Sequence, residues 1–68
     1  MDYITMKRWL ENRGCTTVVP CKDDQGNESV SYHYDGKSYP PVKIPSGDRI
    51  IWPAGSPMDL VMAFFGSD

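Results

Sequence analysis

Three prolines, Pro40, Pro41 and Pro45, stand inside the stretch SYPPVKIPSGDRIIW, residues 38–52. A proline has no amide hydrogen and fixes its own φ, so inside a sheet it is confined to edges and irregularities. It also pushes the residue before it toward extended backbone. The run Val42–Lys43–Ile44 is therefore extended, and at best an edge strand. Pro45–Ser46–Gly47–Asp48 has the chemistry of a turn, and Arg49–Ile50–Ile51–Trp52 brings the chain back as a second arm. This is a proline-gated hairpin with cations on both arms.

Around it the elements are short. Residues 5–13, TMKRWLENR, read as a helix capped by Thr5 and ended by Gly14, with Met6, Trp9 and Leu10 on one face. Ile4 and Trp9 are spaced for a hydrophobic staple across the helix start. CTTVVP, residues 15–20, is β-branched and extended, and KDDQGNE, residues 22–28, is a polar turn. The segment SVSYHY alternates and ends at Asp35–Gly36, which favours a strand closed by a tight turn. A short helix capped by Asn27 competes for residues 28–35. SPMDLVMAFFG, residues 56–66, reads as a helix with Ser56 as cap, Pro57 in the first turn and Gly66 at its end. That helix is apolar nearly all round, which suits either full burial or a contact surface.

A chain of 68 residues holds one domain, 1–68, with a core that supplies about 3–5 kcal/mol of net stability. No run approaches the roughly 18 apolar residues that span a membrane, and the opening MDYITMKRW has no apolar signal region. A cytoplasmic protein is expected, with Cys15 and Cys21 as free thiols. Zinc held by Cys15, Cys21 and His33 is a weak alternative, since three scattered ligands lack the paired spacing of such sites. No cofactor is expected. A single histidine, no glycine-rich phosphate loop and no paired carboxylates argue against an enzyme.

The net charge of -2 does not by itself point to a polyanion partner. Its distribution is more telling. Lys37, Lys43 and Arg49 face one acid, Asp48, across residues 37–52, and Lys7, Arg8 and Arg13 face Glu11 in the first helix. Residues 22–36 hold Lys22 against Asp23, Asp24, Glu28 and Asp35. The hairpin therefore carries what a phosphate-contacting element needs.

In order, these pieces resemble a family. YITMKRW is similar to the opening of the lambdoid phage excisionases, and ESV, SYPPVK and GDRIIW look like their recognition helix, the start of their wing and its return. The small AlpA-type regulators share a similar progression. The resemblance implies an α+β winged-helix-like domain: N-terminal helix, central β-hairpin wing and C-terminal helix. It implies a non-enzymatic binder of double-stranded DNA that serves a phage or mobile element, with an integrase as partner. Lys43, Arg49 and Lys37 would hold phosphates from the wing, Lys7 and Arg8 would add backbone contacts, and Ser29, Ser31 and His33 would face bases. Met58, Leu60, Phe64 and Phe65 would pack the core and meet a protein partner or a second copy. A second resemblance, to the HicA-type toxins, rests on the order helix, strands, helix. It implies a fold like a double-stranded-RNA-binding domain, here without the catalytic histidine in GNESV. A third reading is a small acidic inhibitor that docks on a host or defence protein.

Overall fold

The computed structural model describes residues 2–46 and 49–66. Its elements run α1 (Tyr3–Asn12), β1 (Thr16–Lys22), β2 (Glu28–Tyr34), β3 (Lys37–Ser46), β4 (Arg49–Ile51) and α2 (Met58–Gly66). The strands form one antiparallel sheet in the order β1-β2-β3-β4. Met6 and Leu10 of α1 and Leu60 of α2 join Val30, Tyr32, Val42 and Ile44 in a single core, so both helices cover the same face of the sheet. Among the described residues the opposite face carries no helix.

The α1 helix begins two residues earlier than the sequence suggests. Asp2, not Thr5, is the cap: its carboxylate accepts from the Thr5 amide at 2.9 Å. Ile4 then lies inside the helix and is exposed, so it does not staple onto Trp9. The far end is as expected. Gly14 adopts φ +92°, its amide donates to Glu11 O, and the Cys15 amide donates to Leu10 O, the paired closure of a Schellman motif. Cys15 and Leu10 are both buried there, which pins the helix to the start of β1.

Residues 28–34 are a strand. Val30 and Tyr32 enter the core while Ser29, Ser31 and His33 point the other way, and Asp35 and Gly36, both at positive φ, close the hairpin to β3. The competing helix over 28–35 is absent because the alternation and the Asp-Gly turn favour pairing over an indifferent helix. With it goes the recognition helix: the order helix, four strands, helix differs from a winged-helix arrangement.

The prolines have a specific place. Val30 pairs with Val42 and Tyr32 with Tyr39, so Pro40 and Pro41 together face Ser31 in a bulge where no ladder donor is needed. The strand β4 pairs with β3 only from Lys43 to Ser46, which leaves residues 37–42 of β3 as the sheet edge. The expected turn at Gly47–Asp48 lies outside the described residues. A second bulge lies in β1 between Thr16 and Val19, where Thr17 sits at φ 52°. Two bulges therefore flank the middle of β2, which deepens the twist of the sheet.

At the other end, Ser56 does not cap α2. Its hydroxyl donates to Pro53 O at 2.7 Å, and the Pro57 carbonyl accepts the first helical bond from Val61. Phe64 meets Trp9 and Trp52 edge-on, with centroids 5.0 and 5.6 Å away, and this aromatic cluster ties α2 to α1 and to the end of β4. The Arg13 guanidinium lies 5.3 Å over the Trp9 ring.

Candidate functional site: the uncovered sheet face

Cross-strand partners share a face, so the register alone defines the surface. One row is Cys21, Ser29, Lys43 and Ile51, from β1 to β4. The next holds Val19 and Ser31, and the third Thr16, His33 and Ser38. Arg49 lies two residues from Ile51 on β4 and so points the same way. The structure thus gathers five residues singled out in the sequence, Ser29, Ser31, His33, Lys43 and Arg49, on one face. Three come from one strand by simple alternation, and the cations come from its neighbours.

The other basic residues lie elsewhere. Lys7 and Arg8 are on α1, across the core from this face, and Lys7 is engaged with Glu11 at 2.7 Å. Lys37 pairs with Tyr34 beside the β2–β3 turn, on the helix side of the sheet. These three do not join Lys43 and Arg49.

The strands keep acid off this face, although Asp23 and Asp24 of the β1–β2 turn lie at its border. Among the described residues no strand position on it carries a carboxylate. Glu28, the acid within the strands, pairs with Lys22 and Ile44 on the helix side. Asp23 is consumed in the β1–β2 turn, where its carboxylate accepts from the amides of Gln25 at 2.9 Å and Asn27 at 2.8 Å. The Asn27 amide, then the Gln25 amide, hold the Asp23 carboxyl below its ordinary range. Asp59 accepts from the Tyr34 hydroxyl at 2.7 Å, and that bond raises the Tyr34 pKa.

Aromatic rings sit on the helix side as well. Tyr32 and Tyr39 stack with centroids 6.2 Å apart, Tyr34 lies 6.3 Å from Tyr39, and Trp9 and Phe64 close the far corner. Burial pushes the Tyr32 phenol up to about 12 and the Cys15 thiol up to about 11. Cys15 belongs to the core and Cys21 to the uncovered face, so these thiols and His33 cannot converge on one metal ion. Both cysteines are free.

The second candidate surface is the outer side of α2. Leu60 is buried and Phe64 is held in the aromatic cluster, so neither is available to a partner. Met58, Met62 and Phe65 are 71%, 65% and 68% exposed, at the i, i+4, i+7 spacing of one helix face. Met62 was not singled out in the sequence, though its spacing from Met58 carries the signal. Among the described residues no helix is long and apolar enough to cross a membrane. Comparison with protein families, with curated proteins and with solved structures finds no match to this chain.

Proposed function

We propose that the chain is a small non-enzymatic accessory protein of a phage or mobile element that binds the backbone of double-stranded DNA through its uncovered sheet face. The observation that carries this reading is charge segregation. A chain of net charge -2 keeps its strand acid off the one face that holds Lys43, Arg49, His33 and a set of hydroxyls. Cations and hydroxyls are what phosphate contacts use. Single-strand binding is not favoured, because such surfaces use aromatic rings for stacking and the rings here lie on the helix side. The excisionase resemblance is kept in its partner chemistry and loses its helix-in-groove mode, since β2 occupies that stretch. The β3–β4 hairpin remains the wing-like part, and strands take the place of the helix as the contacting element.

The test is a mobility-shift titration with mixed-sequence duplex at low salt. Retardation by the wild type that weakens with Lys43→Ala and with Arg49→Ala, but not with Arg8→Ala, supports the reading. Retardation of no duplex rejects it.

The exposed Met58–Met62–Phe65 stripe favours a second reading, a protein-docking module whose partner is an integrase or a host defence protein. Partner binding lost in Phe65→Asp yet retained in Lys43→Ala identifies that surface.

A further inference from the structure

On the uncovered face a depression of about 370 Å³ lies between the β1–β2 turn and the prolines of the β3 bulge, with Pro53 as its far wall. Ser29 lines it and is only 3% exposed, yet its hydroxyl has no hydrogen-bond partner among the described residues. Alternation along β2 turns Val30 into the core and Ser29 toward the depression. A buried hydroxyl left unpaired is unfavourable, and a structure that keeps one commonly has a use for it. Lys43 stands directly across from Ser29 on β3, and Cys21 stands across from it on β1. Lys22 borders the depression but pairs with Glu28 on the helix side, and among the described residues Lys43 makes no ion pair.

Acids line the depression too, and their engagement differs. Asp23 directs its carboxylate back to the turn amides of Gln25 and Asn27. Asp24 is exposed at the rim, where solvent screens it. The groups left to meet a ligand are one hydroxyl donor and the Lys43 ammonium, whose charge also acts on Asp23, walled by Pro40, Pro41 and Pro53.

We propose that this depression is an oxyanion seat: a phosphate oxygen accepts the hydrogen bond of Ser29 Oγ while the Lys43 ammonium supplies the opposing charge. The seat deepens the DNA-backbone reading, on which it rests for its ligand. One source of such a phosphate is the duplex backbone, and the other is free phosphate.

Cys21 provides a reporter on the rim. It is half-exposed, whereas Cys15 is buried and its thiol is held protonated, so iodoacetamide at pH 8 modifies the former selectively. Millimolar inorganic phosphate should slow Cys21 alkylation several-fold relative to chloride of equal ionic strength. Ser29→Ala should lose that protection, weaken duplex binding about tenfold and leave Tm unchanged or higher, because it removes an unpaired buried hydroxyl. Lys43→Ala should lose the protection without touching the floor, and Asp24→Asn should strengthen it. Equal alkylation rates in phosphate and chloride overturn the seat. Phosphate protection that persists in Ser29→Ala also overturns it, whereas duplex retardation unchanged in that variant leaves the face as a DNA surface and assigns the seat to free phosphate. Protection by phosphate with no duplex retardation upholds the seat with free phosphate as its source and rejects the DNA reading.

Discussion

Thr17 sits at φ 52° inside the β1 bulge, a left-handed backbone that a β-branched side chain tolerates poorly. The strain is worth about 1–2 kcal/mol, and a glycine there gives back roughly 0.5–1 kcal/mol as unfolded-state entropy. Thr17→Gly should therefore raise Tm, by up to about 12 °C for a domain of this size, whereas Val19→Gly, a normal strand position, should lower it. A Tm decrease in both would show that the backbone at Thr17 is not strained. Titration adds a second residue-scale expectation. Asp2 and Asp23 are held below their ordinary 3.8 by backbone amides, so the folded state prefers their charged form. That stabilisation is present above 3.8 and is lost as pH falls through the lowered folded values. Asp23→Asn should flatten the acid limb of an unfolding free energy–pH curve. Cys15 acts at the other end. Its buried thiol rises from 9.0 to about 11, so stability is full below 9.0 and declines as pH climbs toward 11. Cys15→Ala, measured under reducing conditions, should reduce that alkaline slope; an unaltered slope would assign it to Tyr32 and Lys7 instead.

At the scale of elements, α2 is amphipathic in space although its sequence is apolar nearly throughout. Leu60 is its fully buried anchor, while Met62, half a turn away, is open to solvent. Leu60→Ala should cost about 2–5 kcal/mol, comparable with the whole stability of so small a core. Met62→Ala should stay within about 0.5 kcal/mol. Urea unfolding of the two variants separates them, and equal losses would mean that both faces of α2 are packed. Such a division was not legible in MDLVMAFFG, because hydropathy without a polar face cannot say which side meets the core. Other elements were legible where local chemistry is decisive. Gly14 ends α1, Asp35–Gly36 turns β2 into β3, and the alternation of Val30, Tyr32 and Tyr34 makes a strand. The caps lie one to three residues from where the sequence pattern puts them, because Asp2 and Thr5, or Ser56 and Pro57, satisfy the same pattern and only the geometry of the following turn chooses between them. The proline pair excluded a regular ladder, but its role as a bulge opposite Ser31 depends on register with β2, which no local motif encodes.

At the scale of the molecule, two helices on one side of a four-stranded sheet leave the other side open. Net charge alone does not point to a nucleic-acid partner; the proposal rests on the arrangement of charge, because the acids occupy turns, helices and the helix side of the sheet. The excisionase resemblance groups Lys43, Arg49, Ser29, Ser31 and His33 through a helix and a wing. The sheet brings the same residues together by pairing, and the assumed helix is not required. It also separates Lys7, Arg8 and Lys37 from them, which the linear sequence could not do. The most direct test is therefore the salt dependence of duplex binding. Each phosphate contact contributes about 0.9 to the slope of log K against log salt. The account predicts that Lys43→Ala with Arg49→Ala lowers the wild-type slope by about 2, and that Lys7→Ala with Arg8→Ala leaves it unchanged. Loss of slope in the α1 pair and not in the sheet pair would contradict the account.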